Sequence, residues 1–463
     1  MSEKTYLPYE ANQMMLLPPS LQDWLPQGHL AYFVLNVVKH LDLSQITMVY
    51  EKERRGAPPY NPRMMVAILV YAYCVGVPSS RKIGRRLEED IAFRVLSANN
   101  RPDFRTISDF RKIHLKALKG LFVQVLRMCQ KAGLVKLGNV ALDGTKMKAN
   151  ASKHKAMSYD RMTKEEERLE AEVDALLKQA EETDEREDGE HGRNRRGDEL
   201  PAELSFRESR LKKIAEAKAA LEREAREKAQ AKLLENEALV ANGTRAGPKA
   251  KEPDPAPAPK AQKNFTDPES RIMPSSGNKG SFVQGYNCQA AVDGQEQVIV
   301  AADVTQEAND KKQAEPMLKQ VVCNAGEVPK KSSMDAGYFS EGNVAAVEGL
   351  GIEALIPPDR QEHGKAIPSA ARGRMPKSLS AADKMRRKLR TKSGRGTYAK
   401  RKVIVEPAFG QIKQGRGFRQ FLLRGLEQVK GEWSLICSTH NVLKLWRSGV
   451  SPGGGRSAGA AAG

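Results

Sequence analysis

The spacing of apolar residues divides the chain before any motif is considered. Through about residue 133 it is helical. Ala31 to Leu41 is compact and apolar, and Pro62 stands where it can open a helix through Met64–Tyr73. Ser79-Ser80 can cap a short basic segment, Arg81-Lys82-Ile83-Gly84-Arg85-Arg86-Leu87, and another helix is expected from Ile91 to Ala98. Thr106-Ile107-Ser108-Asp109 has the form of a capping box. It predicts one long helix carrying Phe110, Leu115, Leu118, Phe122, Val125 and Leu126 and ending near Gly133.

At Val135 the period changes. Val135, Leu137, Val140 and Leu142 lead into Asp143-Gly144-Thr145, which reads as a buried strand ending in a carboxylate. A second strand is expected from Phe282 to Val292, turned by Asp293-Gly294 into a third from Gln297 to Val304. A fourth ends at Met334-Asp335-Ala336-Gly337, and a fifth, Ile352 to Ile356, is stopped by Pro357-Pro358. Helical stretches fill the gap after the third strand and follow Tyr398. Strands mixed with helices, one hairpin among them, predict a mixed α/β sheet of five strands.

Two stretches stand outside that sheet. From Tyr159 to about Val240 the chain is rich in Glu, Ala, Lys, Leu and Arg, with Met162, Leu169, Val173 and Leu176, then Leu204, Leu211, Ile214 and Leu221, at helical spacing. Between them Glu185 to Asp198 is almost wholly charged, so a helical hairpin is expected. Gly247 to Pro259 is Pro/Ala/Lys-rich and reads as a disordered linker, and the Gly/Ala/Ser tail after Gly449 reads as disordered.

Composition narrows the partner. The chain has 463 residues and a net charge of +19. Residues 1–150 carry 22 basic against 12 acidic side chains, and residues 351–463 carry 23 against 7, with an acidic stretch between. Two basic ends favour a polyanion, nucleic acid first. Arg81, Lys82, Arg85 and Arg86 on a short helix among tight turns suit a helix-turn-helix-like DNA reader; they also suit the solvated face of a plain bundle. The five cysteines form no CxxC pair, against a disulfide framework or zinc cluster. The longest apolar run, Met64 to Val77, is too short to span a bilayer. A soluble protein of the cytoplasm, with no membrane partner, is expected.

Asp143 and Asp335 occupy matching places, each after an apolar run and before small residues. Either alone is more simply a turn. The third acid is Glu406, before Pro407, which would suit the first turn of a helix and so places Glu406 at a helix start. Lys413, seven residues on, shares its face. Glu406 lies in a basic field, where it could simply balance charge. Two Asp and one Glu on separate elements can hold two Mg²⁺ ions for phosphodiester displacement. Lys146, Lys148, Lys153, His154, Lys155 and the basic run Lys384 to Arg395 are weaker candidates for phosphate contact, and Asp267 reads as a turn residue. Trp433 and Trp446 read as core.

With these residues in place, the sequence resembles the bacterial insertion-sequence transposases of the DDE type over residues 8–150 and 264–446. Its most specific part is Ile404-Val405-Glu406-Pro407 through Phe409-Gly410-Gln411-Ile412-Lys413. Tyr398, Arg401, Glu406 and Lys413 resemble that group's Tyr-Arg-Glu-Lys signature, here with four residues between Arg401 and Glu406. Asn264 through Arg271 and Gln284-Gly285-Tyr286-Asn287 also resemble family segments. The resemblance implies an RNase H-like catalytic domain and a metal triad of Asp143, Asp335 and Glu406 using two Mg²⁺, with Mn²⁺ as substitute. It also implies DNA contacts from Lys413, Arg401 and Tyr398. The expected organisation is a DNA-binding domain over 1–133, a catalytic domain from 134–150 and 264–446, an inserted hairpin over 151–246, a linker over 247–263 and a tail over 447–463. The expected activity is cleavage at transposon ends and strand transfer into target DNA, by a nucleoid-associated homodimer or larger assembly on double-stranded DNA. An RNase H-like nuclease without strand transfer, or a non-catalytic regulator descended from a transposase, fits the same residues.

Overall fold

The structure, a computed structural model, describes residues 20–51, 58–191, 202–241, 252–275, 280–360, 373, 376 and 378–453. The 1–19 segment and the last ten residues lie outside that description, as do the hairpin tip at 192–201 and the first part of the expected linker.

Seven helices come first: α1 (Leu30–Lys39), α2 (Ser44–Glu51), α3 (Pro62–Cys74), α4 (Ser80–Glu89), α5 (Ile91–Leu96), α6 (Phe104–Ile113) and α7 (Leu115–Lys131). Pro62 does open α3, where its missing N–H is not needed. The single long helix expected from Thr106 is instead α6 and α7. Asp103, not Thr106, caps α6, its side chain accepting from the Arg105 amide. The break falls at His114, which is buried with its Nε2 2.9 Å from the Tyr50 hydroxyl and its ring against Phe110. That tertiary contact outweighs the continuous apolar period.

The sheet follows: β1 (Val140–Lys148), β2 (Ala156–Ser158), then helices α8 (Tyr159–His191) and α9 (Ala202–Ala241), then β3 (Gln262–Asn264), β4 (Arg271–Pro274), β5 (Phe282–Asp293) and β6 (Ile299–Thr305). Next come α10 (Ala314–Ala325), β7 (Lys331–Ser333), α11 (Glu341–Gly349), β8 (Glu353–Leu355), α12 (Ala381–Arg390), α13 (Lys392–Gly410) and α14 (Leu426–Arg447). The five expected strands form a sheet in the order β6-β5-β1-β7-β8. β5 runs antiparallel to both β1 and β6, while β7 and β8 run parallel to β1. The sheet has six strands rather than five. β6 covers only Asn287 to Val292 of the twelve-residue β5, and the uncovered half pairs with β4. Four residues, Arg-Ile-Met-Pro, carry too little pattern to reveal β4 in sequence.

β2 and β3 form a separate antiparallel pair, Ala156 opposite Asn264, from which α8 and α9 project. Met162, Leu169, Ile214, Ala217 and Leu221 make a small core between these helices, distinct from the main one. Cross-helix ion pairs such as Lys218–Glu166 (2.6 Å) line its flanks.

α14 ties the molecule together, packing on α7, α3, α1 and β6. Asn441 on α14 is buried and pairs both ways with Ile299 at the start of β6, accepting from its amide (2.9 Å) and donating to its carbonyl (2.8 Å). Gly431 admits the close approach to α7, because a methyl there would lie 2.5 Å from Leu115 Cγ. N-terminal helices and sheet share one continuous hydrophobic core.

Candidate active site

Asp143 sits in mid-β1 and Asp335 two residues beyond β7, the parallel neighbour of β1. The register pairs Ala141 with Ser333, so both carboxylates emerge at the same level of the sheet. Asp335 caps a short 3₁₀ turn, its Oδ1 accepting from the Gly337 amide at 2.8 Å. Its other oxygen has no partner among the described residues. Asp143 Oδ1 accepts from the Gly144 amide (2.9 Å) and Oδ2 from Arg401 Nη1 (2.8 Å). Burial pushes the Asp143 carboxyl up to about 6; the Asp335 charge adds to the rise, and Arg401 opposes it.

Arg401 and Tyr398 reach the pair from α13, one turn apart. Arg401 is buried, and burial raises the Tyr398 phenol while the guanidinium lowers it. Lys413 stands on a π-helical turn, Gln411–Gly415, that follows α13. Its Nζ bonds Thr145 Oγ1 and donates to the Lys146 carbonyl (2.8 Å) on β1. Burial lowers the Lys413 ammonium pKa. Asp143, Asp335, Arg401, Tyr398 and Lys413 therefore lie on one stretch of β1 and the elements against it.

Glu406 is placed differently from expectation. Pro407 lies inside α13 rather than at its first turn, so Glu406 is in a helix interior. Proline deprives the Val403 carbonyl of its helical donor, and Gln297 Nε2 supplies one at 3.0 Å. Ile404, Val405 and Ala408 turn into the core, which leaves Glu406 exposed. It makes no hydrogen bond or ion pair among the described residues. Those residues hold no group of three His, Cys, Asp or Glu side chains gathered closely enough to hold a metal ion.

Arg81, Lys82, Arg85 and Arg86 are all exposed on α4, which packs on α5 and α6, with Arg86 paired to Asp90 at 3.0 Å. Arg81 and Arg105 lie over the Phe104 ring, 5.2 and 5.7 Å from its centroid. His154 is exposed. Asp267 is fully buried, accepting from the Tyr286 hydroxyl and the Gly425 amide. Trp433 is core, its indole donating to the Gln289 carbonyl.

One acid near the Asp335 turn carries no sequence signal. Asp310 lies in the loop between β6 and α10, and its Oδ1 accepts from Asn287 Nδ2 (2.7 Å) and Gln289 Nε2 (2.6 Å) on β5. The buried Tyr338 hydroxyl bonds Gln289 Oε1. Lys146 Nζ donates to the Ala308 carbonyl at 2.6 Å. Only the pairing of Gly144 with Gln289 and of Lys146 with Asn287 across β1 and β5 shows why these groups meet.

Residues 19–113 match the family described as transposase domain (DUF772), and residues 255–442 match the family described as transposase DDE domain. Together the two matches cover more than half of the chain. The chain belongs to the insertion-sequence DDE transposases. Neither a curated protein nor a solved structure matches it. In this transposase the first matched region is the helical N-terminal part, and the second holds Asp335, Glu406 and most of the sheet, while β1 with Asp143 precedes it. No helix among the described residues is long and apolar enough to cross a membrane.

Proposed function

We propose that this transposase cleaves DNA at the ends of its element and joins the freed 3′ end to target DNA, with Asp143, Asp335 and Glu406 as its metal-binding acids. The observation that carries the reading is the pair Asp143–Asp335, one on β1 and the other just past the end of its parallel neighbour β7, at the same level of the sheet, in a chain of this family. The strand order supports an RNase H-like catalytic domain: three antiparallel strands, then two parallel to the first, with Asp143 on the first of the five expected strands and Asp335 just past the fourth.

The donor set fits a hard divalent cation. Asp335 has an uncommitted oxygen, Asp335 also raises the Asp143 carboxyl, and the only thiol nearby, Cys288, is fully buried. Oxygen donors without imidazole or thiolate suit Mg²⁺, with Mn²⁺ as a substitute. Asp143 and Asp335 would hold it, with Glu406 supplied from α13. When bound, such ions activate the attacking oxygen and offset charge on the leaving one. The chain's own groups do the rest. Arg401 fixes the Asp143 rotamer and neutralises part of the acid field against phosphate. Lys413 and Tyr398 border β1 where a DNA backbone would pass. Arg81, Lys82, Arg85 and Arg86 would grip phosphates, which makes affinity fall steeply with salt. Joining two ends calls for at least two copies on the DNA, and the work is done at the nucleoid in the cytoplasm. Residues 1–133 act as the DNA-binding domain, 134–150 with 264–446 as the catalytic domain, and 151–246 as an insertion.

The test uses purified protein and a labelled duplex carrying the element's terminal repeat, with Mg²⁺ or EDTA. Metal-dependent cutting at the repeat boundary and a strand-joined product are expected. Asp143→Asn, Asp335→Asn and Glu406→Gln should each lose roughly 10³-fold or more in rate while still binding the duplex. Cutting that survives in Glu406→Gln removes Glu406 from the site. Cutting without joined product leaves a nuclease, and binding without cutting in any metal leaves a regulator.

A further inference from the structure

We propose that α6 is the helix that reads the bases of the element's ends, through Arg105, Thr106 and Asp109, while the cations of α4 hold the phosphates beside it. This rests on the reading that residues 1–133 bind those ends.

Thr106-Ile107-Ser108-Asp109 is spelled like a helix start, but Asp103 caps α6 and leaves Thr106 and Asp109 inside the helix without a capping role. At about 100° per residue, Arg105, Thr106, Asp109, Lys112 and Ile113 fall within roughly a third of the helix circumference. All five are exposed, Ile113 at 66%. The opposite side, with Ile107, Phe110 and Arg111, is buried. Among the described residues the side chains of Arg105 and Thr106 make no hydrogen bond. Asp109 meets only Lys112 Nζ, at 3.8 Å, an open contact between two exposed groups. Thr and Asp are weak helix formers, and here neither gains a side-chain hydrogen bond within the described molecule.

The chemistry of this stripe differs from that of α4. Arg81, Lys82, Arg85 and Arg86 are all exposed cations, which grip phosphate whatever the base sequence. The α6 stripe offers a fork of donors, a hydroxyl with its methyl, a carboxylate and an apolar tip. These match what the major groove displays: guanine O6 and N7 for Arg, the cytosine amino group for Asp, and the thymine methyl for Thr or Ile. A carboxylate facing DNA is repelled by the backbone, so it belongs where it can accept from a base. From Arg105 to Ile113 the stripe is about 12 Å long, the rise of three to four base pairs. Charge complementarity is supplied by α4, which packs on α6. A methyl on Gly84 of α4 would lie 3.7 Å from Phe104 Cβ. The guanidinium groups of Arg81 and Arg105 both lie over the Phe104 ring. The phosphate-gripping face and the base-reading stripe therefore meet at Phe104.

The two roles separate in binding measurements on the full chain in EDTA. The probes are a labelled terminal-repeat duplex and a scrambled duplex of the same composition, titrated between about 50 and 200 mM salt. Thr106→Ala and Asp109→Ala should each lower the preference for the repeat about 5-fold or more. Their affinity for the scrambled duplex should be equal or higher, which also shows that they are folded. Arg85→Ala should weaken both duplexes alike and lower the slope of log affinity against log salt by about 1. In selection from a randomised repeat, Asp109→Ala should relax one or two adjacent base pairs; relaxation spread over the whole repeat overturns the proposal. A preference kept by both folded α6 variants overturns it too, as does a preference lost in Arg85→Ala. A wild type that binds the two duplexes equally, or binds neither, overturns the reading beneath it as well.

Discussion

His440 shows how much a single buried side chain sets at the scale of the residue. It lies within α14, with Nε2 2.9 Å from the Gln297 carbonyl and Nδ1 2.9 Å from Gln411 Oε1. Burial drives its pKa down to about 3 from 6.5. The folded value is below the unfolded one, so on acidification the unfolded chain takes up the proton first. Its contribution to stability is therefore complete above pH 6.5 and is lost progressively toward pH 3, at up to ~1.4 kcal/mol per pH unit. Thermal unfolding of wild type and His440→Gln between pH 7 and 4.5 checks this. The variant should show the shallower fall of Tm with acidification, and parallel curves would refute it. The same scale decides which site residues can be read from sequence. Asp143 and Asp335 stand out because each ends an apolar run, a pattern that survives without coordinates. The setting of Asp310 cannot be read in this way, because its loop has no period and it accepts from Asn287 and Gln289, which come from a strand two elements away.

Elements differ in legibility for a related reason: local rules name them, and tertiary partners move their ends. Four of the five principal strands lie within about two residues of their apolar runs, whereas β1 starts only at Val140 and, instead of ending at the Asp143 carboxylate, continues through it to Lys148, held by its pairing with β5. α13 does not follow its local rule, since Pro407 argues for a helix start and the helix instead continues through it. What permits this is Gln297, at the turn between β5 and β6, whose side chain donates to the Val403 carbonyl that Pro407 leaves without a donor. Its carbonyl receives His440, and its Oε1 receives Lys444 Nζ at 2.9 Å. Gln297→Ala should lower stability by about 1–2 kcal/mol. Calorimetry should then show Tm down by roughly 1–2 °C; an unchanged Tm would mean that water replaces the amide at no cost. Gln297 also has a positive φ of 58°, so Gln297→Gly separates the lost bonds from the backbone preference.

At the scale of the whole molecule, the hairpin and the main body are independent in their cores. Ser158 and Gln262 face each other across the β2–β3 pair, so α8, α9 and the segment after them leave and return at adjacent points. Replacing residues 159–261 by a short Gly-Ser turn should give a protein that unfolds cooperatively with a loss of roughly 2 kcal/mol, a Tm shift of about 2–3 °C. Circular dichroism and calorimetry check this, and an insoluble product would show that the hairpin supports the sheet. Glu224, which pairs with Lys263 and with Arg271 (3.0 Å), is the main polar contact this removes.

No comparable cut separates the N-terminal helices from the sheet. The thiols of Cys74 on α3 and Cys129 on α7 both donate to carbonyls of α14, those of Thr439 and Asn441. Tyr73 stacks on Phe418, and its carbonyl accepts from the buried Arg416. α3 and α7 are completed by residues made some three hundred positions later, so on the ribosome they emerge with their apolar faces uncovered and wait for α14 before they can close. Protein synthesis thus becomes a checkpoint: a nascent or prematurely terminated product lacking α14 would be a client for chaperones and proteases rather than a folded fragment.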